Sequence, residues 1–218
     1  MSDRIAVITG GKGGLARAIQ GVLHEAGWTV HAPGRDELDV RRTDQVAAWF
    51  SSCGPVSLLV NNAGITRDAP FLRMTVADWD DVIATNLTGA FRCSQAVAAG
   101  MIERSRGHIV QIGSFSALRP PLGQAAYAAA KAGLIALTQS LAAEWGRNNV
   151  RVNCVLPGFL ETRMTEGLAA GVVASAKEAH ELGRFNTPID VGRFILELDA
   201  QWHVSGQVFQ LDSRLRRW

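Results

Sequence analysis

An α/β fold, a doubly wound parallel sheet in a single domain with helices on both faces, is what this sequence predicts, and three observations predict it. Short β-branched and apolar runs alternate with longer stretches of helical period, the pattern of repeated strand–helix units. The apolar runs are continuous rather than alternating, as in strands buried on both faces. With 218 residues, 47% hydrophobic and 19% charged, the chain can build one substantial core and has little room for a second domain. No repeat, low-complexity tract or linker interrupts the pattern, so the domain is drawn over residues 1–218.

In chain order, Ile5 to Thr9, Trp28 to Ala32, Ser57 to Asn61, His108 to Gly113 and Val150 to Val155 read as buried strands, with Val208 to Leu211 as one more near the end. Between them Leu15 to Ala26, Val76 to Met101 and Gln124 to Arg147 carry apolar residues three and four apart, as core-facing helices do. One stretch is informative for what it lacks. A parallel crossover needs about a dozen residues or more, yet only Gly34 to Leu38 separate the second strand from Asp39-Val40 and the helix after it. The third strand and its helix are therefore predicted to be shortened, with Asp39-Val40 arriving in an extended loop at a trimmed edge of the sheet.

Composition narrows the function classes. Twenty-two Lys and Arg against twenty Asp and Glu leave a formal charge of +2, too small and dispersed for nucleic acid or an anionic membrane surface. A small-molecule partner is expected instead. Cys53, Cys93 and Cys154 are odd in number and lack metal-ligand spacing, so a reducing compartment is expected, and neither a disulfide framework nor a metal site. The opening Met1-Ser2-Asp3-Arg4 does not read as a signal peptide, and no apolar run nears the roughly 18 residues of a membrane span, which predicts a cytoplasmic protein.

Thr9-Gly10-Gly11-Lys12-Gly13-Gly14-Leu15-Ala16 lies between the first strand and the first helix. A glycine-rich turn there can seat a pyrophosphate on bare N–H groups at the positive end of a helix dipole, the mark of a Rossmann-type dinucleotide site. Thr9, Gly10, Lys12, Gly14 and Leu15 are the candidate contacts, and the strand–turn–helix setting weighs against a merely flexible loop. After the second strand comes Pro33-Gly34-Arg35. A free ribose 2′-hydroxyl is usually read at this point by a carboxylate, a 2′-phosphate by an arginine. Arg35 can fork onto a phosphate and Lys12 can approach from the turn, so NADPH is predicted. NADH is the alternative, with Asp36 reading the hydroxyl and Arg35 a solvated loop residue.

Tyr127 and Lys131, in Tyr127-Ala128-Ala129-Ala130-Lys131, share one helical face four residues apart. A nearby cation lowers a phenol pKa from about 10 toward the range of general acid or base work. Ser114 follows a strand, at the carboxyl edge where parallel sheets bind ligands, and its hydroxyl can stabilise charge developing on a carbonyl oxygen. Ser116 competes for that part, and either serine alone reads as a turn residue. Asn61-Asn62-Ala63-Gly64 closes another strand at the same edge, or is simply a polar turn. Asn86 falls inside a predicted helix, where asparagine is a poor helix former and a buried amide needs partners. A structural and a functional amide are both open there.

Taken in order, Thr9 to Ala16, Asn61 to Gly64, Asn86, Ser114, Tyr127 to Lys131 and Pro157-Gly158 resemble the short-chain dehydrogenase/reductase family over nearly the whole chain. The resemblance implies a nicotinamide-dependent oxidoreductase acting on a CH–OH or C=O group, with Tyr127 exchanging a proton with the substrate oxygen and serving as the acid in reduction. It implies that Lys131 holds the nicotinamide ribose and lowers the Tyr127 pKa, that Ser114 orients and polarises the carbonyl, and that Asn86 supports a water relay. It places Asn61, Ala63 and Gly64 along the cofactor, Asp39 and Val40 at the adenine, and Pro157, Gly158 and Thr162 on the nicotinamide side, with Thr162 at the carboxamide. A substrate cap is implied at about residues 159–186.

Within the family, Asn62 to Asp68 and Pro157 to Met164 look most like 3-oxoacyl-(acyl-carrier-protein) reductases and acetoacetyl-coenzyme A reductases. That implies reduction of a 3-oxoacyl thioester to a 3-hydroxyacyl thioester, as in fatty acid biosynthesis, with acyl carrier protein a candidate partner. Arg104, Arg106 and Arg163 are candidates for docking an anionic carrier arm, or solvated charges. The family resemblance also implies a homo-oligomer, dimer or homotetramer. Three departures stand against the pattern: Ala16 replaces the usual last glycine of the turn, Gly34 to Leu38 is short, and Leu211-Asp212-Ser213-Arg214 replaces a common Asp-Gly-Gly ahead of the basic, aromatic tail Leu215 to Trp218. Other readings are a reductase of a quinone, sugar or small ketone and, in another class, a non-catalytic dinucleotide-binding redox sensor, which needs no set of Asn86, Ser114, Tyr127 and Lys131.

Overall fold

Six parallel strands, β1 (Ile5–Ile8), β2 (Thr29–His31), β3 (Val56–Asn61), β4 (Gly107–Ile112), β5 (Val150–Leu156) and β6 (Val208–Gln210), form one sheet in the order β2-β1-β3-β4-β5-β6. They belong to a computed structural model that describes residues 4–162, 165–167 and 169–215. Arg163, Met164 and the tail residues Arg216 to Trp218 lie outside the described residues. The helices are α1 (Gly14–Glu25), α2 (Thr43–Ser52), α3 (Val76–Ile83), α4 (Gly89–Glu103), α5 (Ala125–Trp145), α6 (Ala170–Glu178) and α7 (Pro188–Asp199).

The period of two along each strand sorts the core into two layers. Ala6, Ile8, Leu58, Val60, Val110 and Val155 face α1 and α7, where Ile19, Leu23, Val191 and Ile195 meet them. Val7, Leu59, Ile109 and Val152 face the other way, against Val46, Phe50, Val97 and Leu141 of α2, α4 and α5. Burial on both faces is why the strands read as unbroken apolar runs. Each such Leu, Ile or Val taken fully from water contributes roughly 1.5–3 kcal/mol before the entropy cost of ordering the chain.

β2 is the edge strand, and no helix lies between Ala32 and Asp39. The chain runs from Pro33 through turns into α2, with Leu38 and Val40 buried on the way. The shortened edge is thus present as expected, because five residues cannot make a parallel crossover. Three elements differ from the sequence reading. The helical stretch Val76 to Met101 is interrupted by a π turn at Ala84–Thr88. α6 was not anticipated because it buries no residue and so carries no apolar stripe to read. α7 was readable but missed: Thr187 and Asp190 form a capping box with Pro188 in the first turn. No helix of the described residues is long and apolar enough to cross a membrane.

Candidate active site

The order of the sheet reverses direction between β1 and β3, so the loops leaving their carboxyl ends part and open a crevice, the usual ligand position in such sheets. Buried Thr9 ties the two ends together. Its hydroxyl accepts from the Asn62 and Ala63 N–H groups, both at 3.0 Å, and its carbonyl accepts from the Asn62 amide at 3.0 Å. Gly10 then turns at φ +71°, and a Cβ on Gly11 would stand 1.8 Å from the Ala32 carbonyl oxygen. The turn is pressed against the end of β2, with the Gly11 N–H donating to Pro33 O at 2.9 Å. Gly13 caps α1 without a side-chain bond and no acidic residue occupies the first turn, which leaves the opening N–H groups for an anion. Leu15 packs into the core, while a Thr162 methyl lies 3.7 Å from where a Gly14 Cβ would be.

Beside this turn, Gly10, Lys12, Gly34, Arg35 and Asp36 line a cleft of about 680 Å³. The Lys12 ammonium pairs with Asp36 at 2.7 Å, which draws the Asp36 carboxyl below its ordinary range. The Arg35 side chain is 71% exposed and, among the described residues, its guanidinium meets only Asp39, at 3.4 Å. Asp39 is instead gripped by Arg41, a residue the sequence reading passed over, which reaches Asp81 at 2.8 Å with its other arm. That grip holds the Asp39 carboxyl far below the usual carboxylate range. Val40 is buried, its side chain against Gly89. Both side chains expected at an adenine thus have partners within the fold.

Asn61 behaves the same way, its amide nitrogen donating to Ser94 Oγ at 3.0 Å and Ala90 O at 3.4 Å on α4. Asn86 sits buried in the π turn, with its amide oxygen accepting from Ile65 N at 2.8 Å and its amide nitrogen donating to Ile65 O at 2.9 Å. Both ends of the side chain are committed to the backbone one residue past Gly64. The extra residue of a π turn, a common device at functional sites, is what brings an interior helix position onto that loop.

Ser114, Tyr127 and Lys131 converge at the carboxyl end of β4. The Ser114 hydroxyl is hydrogen-bonded to the Tyr127 phenol and accepts from Ser116 N at 3.1 Å. Ser116 is diverted: its hydroxyl donates to Gln124 Oε1 at 3.0 Å, and Gln124 in turn donates to Asp68 at 2.8 Å. Lys131 is buried, its ammonium donating to Ile112 O at 2.7 Å and lying 5.6 Å from the Tyr127 ring centre. Here the electrostatics correct the sequence argument. Burial pushes the Tyr127 pKa up, with the Asp68 charge adding to it and the Ser114 bond opposing, so the phenol is not brought toward neutrality. Burial pushes the Lys131 ammonium down to about 8. The pair is set as a protonated phenol beside a cation that titrates just above neutrality.

Pro157 and Gly158 leave β5 at this same edge, the Pro157 carbonyl accepting from Asn186 at 3.1 Å and Gly158 turning at φ +83°. The docking arginines do not join them. Arg104 and Arg106 precede β4 at the opposite edge of the sheet, where Arg104 donates to Val56 O at 2.9 Å and Arg106 stacks on Trp202. They are not on the rim of this site. No metal-binding group of His, Cys, Asp or Glu occurs among the described residues.

The family model for short chain dehydrogenase matches residues 36–172. The chain is similar to the 3-oxoacyl-(acyl-carrier-protein) reductase of Thermotoga maritima, 37% identical over 242 residues, covering 99% of this chain and 98% of the relative. It is similar to the enzyme of the same name from Chlamydia muridarum, 34% identical over 239 residues with 97% and 96% covered. Nodulation protein G of Azospirillum brasilense is 34% identical over 248 residues, with 99% of each chain covered. These alignments, 239 to 248 residues long, exceed the 218 of this chain, as they must if the relatives carry a segment shortened here.

Proposed function

This chain belongs to the short-chain dehydrogenase family and is an NAD(P)-dependent oxidoreductase, and on that footing we propose that it reduces a 3-oxoacyl thioester to the 3-hydroxyacyl thioester, using NADPH, with Tyr127 as the acid. The observation that carries this reading is the gathering of the Tyr127 phenol, bonded to Ser114, with the buried Lys131 at the carboxyl edge of the sheet. A redox sensor needs no such proton donor. The similarity to 3-oxoacyl reductases supports the thioester.

The residues present fit a dinucleotide. The bare start of α1, the close approach at Gly11 and the cleft beside Lys12 and Arg35 suit a pyrophosphate and a further phosphate. Bound there, the dinucleotide supplies the hydride. With a substrate carbonyl oxygen lodged between them, Ser114 and Tyr127 both donate to it. The Tyr127 proton passes to that oxygen as negative charge develops, and the phenolate left behind is stabilised by Lys131. Lys131 and Thr162 are assigned to the nicotinamide end, and Asn86 to holding the Ile65 loop against it.

Lys12 and Arg35 together outnumber Asp36, whose charge Lys12 already meets. Arg35→Ala should raise the KM for NADPH about tenfold, the loss of one charge-assisted phosphate bond, and that for NADH by less than about twofold. Equal losses would refute the phosphate assignment. The overall reading is tested by steady-state rates on acetoacetyl-coenzyme A and a longer 3-oxoacyl thioester with both cofactors.

Lys131 sets a pH signature. Its pKa, lowered in the fold to about 8 from an unfolded value of 10.5, means that kcat/KM for the cofactor should fall as pH rises through about 8. Stability should move oppositely. Between about 8 and 10.5 the unfolded chain binds the proton that the folded chain has released, so this group's contribution rises with pH. Parallel pH profiles of kcat/KM and of urea midpoints separate the two slopes, and a flat rate profile to pH 9.5 contradicts the assignment.

A further inference from the structure

The segment Leu211 to Arg214 is stapled across the substrate side of the site. The Leu211 carbonyl accepts from Asn186, which also binds Pro157. Ser213 accepts from the Glu181 N–H at its carbonyl, at 3.4 Å, and from the Leu182 N–H at its hydroxyl, at 3.1 Å. The Asp212 side chain is 1% exposed and takes bonds from Gln210 and from both the backbone and the guanidinium of Arg214. Held in this way, the Arg214 guanidinium lies over Phe115, 3.7 Å from the ring centre, and Phe115 is the residue after Ser114.

Between this strap and the cap is a pocket of about 430 Å³. Phe115, Pro121 and Leu215 give it an apolar part, but Arg119, Glu181 and Arg214 also line it. We propose that Arg214 determines substrate specificity by restricting the enzyme to short acyl groups, an inference that rests on the thioester reading above. The pocket is lined by Phe115 and Ser116, the two residues after Ser114, so acyl carbons beyond a carbonyl held at Ser114 enter it. The first few carbons meet the apolar wall at Phe115 and Pro121. A longer alkyl chain meets Arg214, Arg119 and Glu181, and strips water from charges to which it can offer no hydrogen bond. It thereby forfeits the gain of about fourfold per methylene that an apolar wall would return. Because Asp212 and the ring of Phe115 fix the guanidinium from two sides, Arg214 cannot swing aside as a solvated arginine would.

The test compares kcat/KM on 3-oxobutanoyl and 3-oxooctanoyl N-acetylcysteamine thioesters, and on a five-carbon and a nine-carbon methyl ketone, for the wild type, Arg214→Leu and Arg214→Gly. The wild type should prefer the shorter member of each pair, and both variants should raise the long-to-short ratio at least tenfold. The double variant Asp212→Asn/Arg214→Leu removes both charges and serves if an unpaired Asp212 unfolds the single ones. A wild type that prefers the longer chains, or a folded variant with an unchanged ratio, overturns the proposal. Reduction of the ketones but of no thioester sinks the thioester reading instead and leaves the length ratio readable.

Discussion

Tyr127→Phe lowers kcat by roughly 10² or more while cofactor affinity stays within a few fold, the scale expected when a general acid is lost and its framework kept. The substitution removes one oxygen. The ring still packs with Val82, Ala126 and Ala130, so α5 and its Lys131 stay in place. What disappears is the phenol bonded to Ser114, whose pKa burial pushes up from its ordinary value so that it stays protonated well above neutral pH. Single-turnover rates measure the chemical step and cofactor fluorescence titration measures binding. Turnover within a few fold of wild type would remove Tyr127 from its role, whatever its position.

Gly11→Ala is expected to cost about 3 kcal/mol of stability or to prevent folding, the upper end of overpacking effects. The added methyl falls 1.8 Å from the Ala32 carbonyl oxygen, and neither side of that clash is a side chain that can rotate away. Gly14→Ala, three residues on, should do the opposite. Its methyl meets nothing nearer than Thr162 at 3.7 Å, so the melting temperature should stay near wild type. Yet it stands on the side of α1 assigned to the pyrophosphate, and NADPH affinity should fall at least tenfold. Thermal unfolding and cofactor titration on both variants give the cross-over. A stable Gly11→Ala protein, or a Gly14→Ala protein with unchanged affinity, contradicts this geometry of the turn.

The family resemblance joined Ser114 to Tyr127 and Lys131; the sequence by itself determined the parallel α/β architecture, the trimmed edge at Gly34 to Leu38 and the shared helical face of Tyr127 and Lys131. Each depends on local period or on chain length, and those are written in consecutive residues. α7 was equally local, its cap spelled by Thr187, Pro188 and Asp190, and was simply passed over. Tertiary structure decided which atoms those residues spend on one another. Only contacts between distant segments tie Arg41, and through it Asp39, to Asp81, commit Asn61 to Ser94, lock Asn86 onto Ile65 and carry Arg104 and Arg106 to the far edge of the sheet. The same holds for the proton on Tyr127. Spacing to Lys131 suggested a lowered pKa, but a pKa is set by everything packed around the group, and here desolvation and Asp68 outweigh the Ser114 bond, while the Lys131 ammonium is bonded to Ile112. Periodicity along a chain specifies which face a residue presents, whereas its charge state depends on what the rest of the fold brings against that face.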